Sequence, residues 1–165
     1  GYAGLSCLLP ALSEAGYGDA AYEILCNTNE RSLLYPVTQG ATTTPEYLSA
    51  YQEIDGELLL DGSLNHYAYG APVKWLYTHV LGIQSDEEHP GFKHFYIRPE
   101  VTGEWTYAKG AYESMYGRIE VSWEQQEDGY QHHIVIPANT TATVELEGME
   151  SMELGSGTYE FEIKN

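Results

Sequence analysis

Arg118-Ile119-Glu120-Val121-Ser122-Trp123-Glu124 decides the class of this chain. Ile119, Val121 and Trp123 alternate with charged or small polar residues, the period of a strand with one buried face. The pair Asp128-Gly129 follows as a hairpin turn signal. Tyr130, His132, Ile134 and Ile136 then resume the alternation. Outward from there, Ala142, Val144 and Leu146 repeat it, and so do Tyr159, Phe161 and Ile163 after the turn Gly155-Ser156-Gly157. His94-Phe95-Tyr96-Ile97 and Trp105-Thr106-Tyr107-Ala108 read as further strands. Several short strands at regular intervals, each with one apolar face, predict an antiparallel β-sandwich.

Toward the N-terminus the period changes to that of a helix. Leu5, Leu8, Leu9 and Leu12 share one helical face, with Pro10 interrupting or kinking it, and Gly16 is a stop. Asp19 reads as the cap of a second helix whose apolar face includes Ala21, Ile24 and Leu25. Residues 27–64 read mostly as loop. Asn65 reads as the cap of a third helix with Ala68, Ala71, Trp75 and His79 on its inner stripe and Gly82 as its end, although Pro72 falls inside that pattern. Ser85-Asp86-Glu87-Glu88-His89-Pro90 reads as a charged link. The expected organisation is therefore α + β in two parts, 1–84 helical and 85–165 β. Three helices with a long loop leave an apolar side open, so the helical part reads as the closing piece of a larger helical domain.

Composition narrows the function classes. The chain of 165 residues carries 25 acidic and 7 basic residues, a formal net charge of −18, which disfavours nucleic-acid and anionic-membrane partners. Hydrophobic content of 42% suffices for a packed core. Cys7 and Cys26 lie among apolar helical neighbours and read as buried thiols rather than a disulfide framework. No apolar run reaches transmembrane length. The chain opens abruptly at Gly1-Tyr2-Ala3-Gly4, without a methionine or a signal peptide, which reads as the middle of something and leans toward a cytoplasmic location. Fifteen tyrosines and three tryptophans suit sugar recognition and equally suit half-buried packing.

The chemistry concentrates in Gly40-Ala41-Thr42-Thr43-Thr44-Pro45-Glu46-Tyr47 and Ser63-Leu64-Asn65-His66-Tyr67-Ala68-Tyr69-Gly70. Glu46 is a working carboxylate, an exposed loop acid, or an acid in the first turn of a helix started by Pro45. Asn65 needs no function beyond capping, and His66 is either a sugar-hydroxyl partner or a local hydrogen bonder. Glu53, Asp55, Glu57 and Asp61 read as a solvated acidic loop, without EF-hand spacing. His132 and His133 face opposite ways on a strand and do not form a joint metal site. No zinc, nucleophile-elbow, phosphate-loop or dinucleotide pattern occurs.

Taken together, the segments resemble the C-terminal end of α-L-rhamnosidases of glycoside hydrolase family 78. Leu8-Leu9-Pro10-Ala11-Leu12-Ser13-Glu14-Ala15-Gly16-Tyr17, Gly40-Ala41-Thr42-Thr43 with Glu46, and Ser63-Leu64-Asn65-His66-Tyr67-Ala68-Tyr69-Gly70 carry the likeness in order and spacing. Pro90-Gly91-Phe92-Lys93, Ile97-Arg98-Pro99 and Ile136-Pro137-Ala138-Asn139-Thr140 extend it. The resemblance implies an (α/α)6 catalytic barrel followed by a β-sandwich, and hydrolysis of terminal α-L-rhamnose with inversion. It implies Glu46 as general base, with His66, Asn65 and Tyr47 at the sugar. Pro45 stands where the family usually has an aromatic residue, and Tyr47 is a candidate to cover the same space. No cofactor or metal is implied. The partners implied are a rhamnose-containing glycoside and the remainder of the barrel. The general acid is expected upstream of Gly1, so the isolated chain is expected to have little or no activity. Other readings are a non-catalytic carbohydrate-binding or structural β module, and the tail of a different (α/α)6 glycosidase.

Overall fold

The computed structural model describes residues 4–102 and 105–164. Gly1-Tyr2-Ala3, the expected lead-in to the first helix, lies outside the described residues. The chain forms two compact units, Gly1–Trp75 and Leu76–Asn165.

In the first unit, α1 (Leu5–Glu14) and α2 (Gly18–Cys26) form a helical hairpin. Gly16 turns it at φ 80°, and the Gly16 and Tyr17 amides close the end of α1 on the Ser13 and Leu12 carbonyls. Pro10 is accommodated inside α1. Asp19 lies within the first turn of α2, where its charge favours the helix dipole; Tyr17 occupies the cap position and makes no side-chain cap bond. Leu5 and Leu9, one turn apart, are buried in α1, whereas Leu8 is exposed. In α2, Tyr22 is buried and Ile24 is exposed. Trp75 is fully buried against Tyr22, edge to face at 5.0 Å, and its indole N–H donates to Ser13 Oγ at 2.9 Å. Both cysteines are exposed, contrary to expectation. Cys7 lies two residues past Leu5, about 200° around the helix from the buried side. Cys26 is the last residue of α2, one step past buried Leu25.

The stretch read as loop holds a short helix, α3 (Tyr35–Thr38), and a β-hairpin, β1 (Tyr51–Ile54) and β2 (Glu57–Leu60). The expected third helix is broken. A 3₁₀ turn spans Tyr67–Gly70, and Pro72 then starts the short helix α4 (Pro72–Trp75). His66, not Asn65, caps the 3₁₀ turn.

In the second unit a π-helical turn, Leu76–Val80, precedes the strands. The Trp123 indole N–H donates to the Val80 carbonyl at 2.8 Å, the Glu100 amide to the His79 carbonyl at 2.8 Å, and the Arg98 amide to the Gly82 carbonyl at 2.9 Å. These bonds tie residues 76–82 to the strands, although their sequence period groups them with the helices. One sheet has the order β10-β7-β6-β5, from β5 (Tyr107–Ser114), β6 (Gly117–Gln126), β7 (Gly129–Ile136) and β10 (Gly157–Lys164). The other has the order β3-β4-β8-β9, from β3 (Ile83–Ser85), β4 (His94–Ile97), β8 (Thr141–Val144) and β9 (Met152–Leu154). The expected all-antiparallel arrangement fails at one place: β4 and β8 pair in parallel, Phe95 opposite Ala142 and Ile97 opposite Val144. Alternation reports which face a residue takes and is silent on strand direction, so sequence period could not separate the two.

Each sheet buries one face, with Ile119, Val121, Trp123 and Ile134 in the first and Phe95, Ile97, Ala142 and Val144 in the second. The β6–β7 hairpin forms as expected, but its loop is Glu127-Asp128, with Gly129 already paired to Gln126. Gly129 has φ 150°, and a Cβ there would collide with the Ile163 carbonyl of β10. The glycine is therefore needed for close strand approach as much as for the turn. Ser85, read as part of a charged link, ends β3, and Asp86 is buried with its carboxylate bonded to His89 Nδ1 at 2.7 Å. That bond, with the Glu88 amide, holds the Asp86 pKa below its ordinary value.

His132 and His133 diverge as strand geometry requires. His133 meets Glu160 at 2.5 Å, whereas His132 is buried opposite Trp123 on β6 and Phe161 on β10. Burial lowers the His132 pKa from 6.5 to about 4. The folded chain keeps this imidazole neutral, while the unfolded chain protonates it near its ordinary value. The stability that goes with the neutral form is complete above about pH 6.5 and is lost as the pH falls toward 4. Denaturant titrations at pH 7, 5.5 and 4.5 should therefore show a steeper fall for the native chain than for His132→Phe. Parallel curves would refute the assignment.

Candidate functional site

The two chemistry-bearing segments, some twenty residues apart in sequence, lie side by side. The hairpin between them brings this about. Asp55 and Gly56 take φ 54° and 79°, both left-handed, which makes the two-residue turn that matches strand twist. Cross-strand pairing then runs from Ile54 opposite Glu57 to Tyr51 opposite Leu60. Beyond the strands, the Asp61 amide donates to the Ala50 carbonyl at 3.0 Å. The Glu46 amide donates to the Ser63 carbonyl at 2.8 Å and the His66 amide to the Thr44 carbonyl at 2.7 Å. Two threonine hydroxyls add cross-links: Thr43 Oγ1 donates to the Leu64 carbonyl at 2.5 Å, and Thr44 Oγ1 to the His66 carbonyl at 2.6 Å.

Pro45, which has no amide to satisfy, is buried between these rungs. Ala41 from one segment and Leu64 from the other pack on a small cluster of Tyr35, Ala50 and Tyr51. Each segment thus has an apolar foot beside its polar residues. Glu46 is half-buried. The His66 Nδ1 accepts the Ala68 amide at 3.3 Å, which places the proton of the neutral ring on Nε2 and makes that atom a donor. Asn65 is exposed, and its amide donates to Ser63 Oγ at 3.3 Å. The Tyr47 ring lies against Gly62, which has φ 70°; a Cβ there would strike the ring.

The structure therefore brings all four sequence-predicted residues, Glu46, Tyr47, Asn65 and His66, to one pair of adjoining segments. A half-buried carboxylate, an imidazole whose Nδ1 accepts a backbone amide and an exposed asparagine thus sit on adjoining segments, residue types that can serve as a proton acceptor and as hydroxyl partners. Sequence reading missed the clamping roles of Thr43, Thr44 and Ser63. It also missed the hairpin, although Asp55-Gly56 is the same turn signal that located the β6–β7 hairpin. The acidic residues Glu53, Asp55, Glu57 and Asp61 are exposed on or beside that hairpin. Among the described residues, no group of three or more His, Cys, Asp or Glu is arranged to hold a metal ion, and no helix is long and apolar enough to cross a membrane.

Residues 1–80 match the family model described as the bacterial alpha-L-rhamnosidase 6 hairpin glycosidase domain, and residues 82–160 match that of the bacterial alpha-L-rhamnosidase C-terminal domain. The chain corresponds to the C-terminal portion of the bacterial α-L-rhamnosidases. It is 31% identical to an alpha-L-rhamnosidase of Streptomyces avermitilis over 99% of its own length and 18% of that protein's. It is 36% identical to one from Alteromonas sp. (strain LOR) over 86% of its length and 15% of that protein's. The crystal structure of the S. avermitilis α-L-rhamnosidase complexed with L-rhamnose superposes with a TM-score of 0.88 over 99% of this chain and 18% of that one, at 31% identity. The native Aspergillus terreus enzyme superposes with a TM-score of 0.86 over 98% of this chain and 19% of that one, again at 31% identity. The chain thus spans under a fifth of the length of these rhamnosidases.

If the Asp55-Gly56 turn sets the pairing of the two segments, Gly56→Val should loosen it. A branched side chain in the left-handed region costs on the order of 1–2 kcal/mol. Amide exchange at Glu46 and His66 should then speed up about tenfold. Unchanged exchange at both positions would show that the segments hold together without the turn.

Proposed function

We propose that this chain supplies the general-base side of an α-L-rhamnosidase active site, and that the longer protein hydrolyses terminal α-L-rhamnosides with inversion. The observation that carries the reading is the backbone pairing of Glu46 with Ser63 and of Thr44 with His66, which holds a carboxylate and an imidazole donor on neighbouring rungs. In the proposed mechanism the Glu46 carboxylate takes a proton from a water as that water attacks the anomeric carbon. The C–O bond to the leaving group breaks as its oxygen takes a proton from a general acid that we place outside this chain. An inverting pair of carboxyls is separated by about 6.5–9.5 Å to admit the water. His66 Nε2–H and Asn65 hold sugar hydroxyls, and Tyr47 walls the pocket. Residues 1–84 would close an (α/α)6 barrel and residues 85–165 would form the following β-sandwich.

The alternative of a free-standing carbohydrate-binding β module is less well supported. The sheet face of β5, β6, β7 and β10 opposite the buried one carries charge pairs, Arg118 with Glu113 and Glu120 at 2.7 Å and His133 with Glu160, rather than a row of aromatic rings.

In the full-length protein, Glu46→Gln should lower kcat on an aryl α-L-rhamnoside by roughly 10²–10⁴-fold with KM little changed. NMR of the first-formed sugar should show the β anomer. A variant with native kcat, or retention of configuration, would overturn the assignment. The purified 165-residue chain alone should show no turnover above its own Glu46→Gln variant; measurable hydrolysis that this substitution abolishes would show that a general acid is present within it.

A further inference from the structure

The β3-β4-β8-β9 sheet carries a cavity on its outer face, lined wholly by the second unit. Strand register decides what faces it. Gln84 lies opposite Tyr96, Tyr96 opposite Thr143 and Thr143 opposite Glu153, on the side away from buried Phe95, Ile97, Ala142 and Val144. The parallel β4–β8 pair also sets His94 beside two threonines of one face. Its Nδ1 lies 2.8 Å from Thr141 Oγ1 and its Nε2 3.0 Å from Thr143 Oγ1. Thr143 gives its hydroxyl proton to Glu153, so it accepts from His94 Nε2–H, and Nδ1 of the neutral ring accepts the Thr141 proton. Residues 86–93 wall the cavity. There the Asp86 carboxylate accepts His89 Nδ1–H at 2.7 Å and the Glu88 amide at 2.9 Å, so the neutral His89 ring keeps its lone pair on Nε2. Lys93 Nζ donates to the Asn139 carbonyl and has further N–H groups to give. The cavity measures about 730 Å³, within the range of small-molecule sites. Its polarity also separates it from a domain-docking face, whose centre is apolar. The exposed large apolar residues of this unit, Tyr77, Tyr107, Tyr112, Met115, Tyr116 and Met149, line none of it.

We propose that this cavity binds a neutral saccharide through hydrogen bonds to its hydroxyls. Charge and donor type narrow the ligand to that class. Asp86, Glu88 and Glu153 outnumber Lys93 around the cavity, which repels an anion. Lys93 lies among them, and no group of three or more His, Cys, Asp or Glu among the described residues is arranged for a metal ion, which disfavours a cation. Fixed donors and acceptors of both kinds remain. A sugar hydroxyl is donor and acceptor at once, and neighbouring hydroxyls on a pyranose ask for such a mixed wall. His89 Nε2 and the Glu153 carboxylate accept hydroxyl protons, and Lys93 and Ser156 donate to sugar oxygens. The Tyr96 ring is already covered by the Arg98 guanidinium at 3.8 Å, so hydrogen bonds and not ring stacking hold the ligand. The proposal does not rest on the general-base reading.

The test is calorimetric titration of the full-length protein with tetrasaccharides of β-linked galactose, glucose or mannose, and separately with sulfate and with calcium. None of the sugars contains rhamnose, so binding is read apart from rhamnoside turnover and either reading can fail alone. At least one tetrasaccharide should bind saturably, with a Kd on the order of 0.1–1 mM. Glu153→Ala and His89→Ala should each weaken that binding about 3- to 10-fold, the loss expected for one hydrogen-bonding group. Both side chains are more than half exposed, at 67% and 55%, so the thermal midpoint should hold. If His89→Ala unfolds through loss of the Asp86 partner, Glu153→Ala decides alone. The proposal is overturned if no tetrasaccharide binds, which is also the result expected of a face covered in the longer protein. It is overturned equally by native affinity in the folded variants, or by sulfate or calcium binding that Glu153→Ala alters while the sugars do not bind.

Discussion

The candidate site depends on four hydrogen bonds between two segments that hold no regular secondary structure at their point of contact. Glu46 and His66 donate backbone amides across the gap, and Thr43 and Thr44 donate hydroxyls. Side chains on irregular backbone are ordinarily mobile, and a proton acceptor that wanders by an ångström loses much of its worth. Here the irregular stretch behaves as a continuation of the β1–β2 ladder. The hairpin folds the intervening chain into rungs, so the closure cost of bringing residue 46 beside residue 63 is met stepwise by local pairing. Ala41 and Leu64 then anchor both sides on Tyr35, Ala50 and Tyr51. Backbone geometry, not a contact between the functional side chains, brings Glu46 and His66 together.

The second unit obeys a different constraint. Its strands are held by alternation, each placing Ile, Val, Phe or Trp on the buried face. Two positions tighten this arrangement beyond what alternation requires. Gly129 lets β7 and β10 approach where any side chain would meet the Ile163 carbonyl. Trp123 uses its indole N–H to bind the Val80 carbonyl, satisfying a polar atom inside an apolar layer. His132 is the exception within the core. Its Nδ1 finds no hydrogen-bond partner among the described residues, and burial favours the neutral ring.

How much of this was legible in the sequence follows from which physical signal each element carries. The strands at 94–97, 117–126, 129–136 and 157–164 announce themselves because one face is buried and the other wet. The hairpin at 51–60 sends no such signal: its burial pattern is almost entirely exposed, so alternation is absent and only Asp55-Gly56 marks it. Helix phase was harder still. Leu8 and Ile24 fit their expected stripes by spacing yet lie exposed, while Tyr22, ambiguous by character, is buried. Pro72 did warn of the broken third helix, which the structure resolves into a 3₁₀ turn and a new helix begun at that proline. The parallel β4–β8 pair was out of reach, because neighbouring-strand direction depends on long connections and not on side-chain period. The candidate site residues came from the resemblance alone, while the clamp that joins their segments, made of threonine hydroxyls and backbone, carries no distinctive pattern.

The exposed hairpin gives this unit its remaining tension. Ile54, Leu58, Leu59 and Leu60 all face solvent on a two-stranded element, and such a hairpin is marginal in water by itself. Cross-strand register puts Leu58 and Leu60 on one side and Ile54 and Leu59 on the other, so no single rotation hides all four. A sheet with apolar residues on both faces is what α/β and barrel proteins use where it is covered twice. That pattern fits the proposal that these residues are one wall of a larger catalytic domain. It also sets an order of dependence: the covering surfaces would steady the hairpin, the hairpin sets the segment pairing, and the pairing positions Glu46 relative to His66. On this view the turn at Asp55-Gly56 matters to the chemistry although no atom of it needs to touch the substrate.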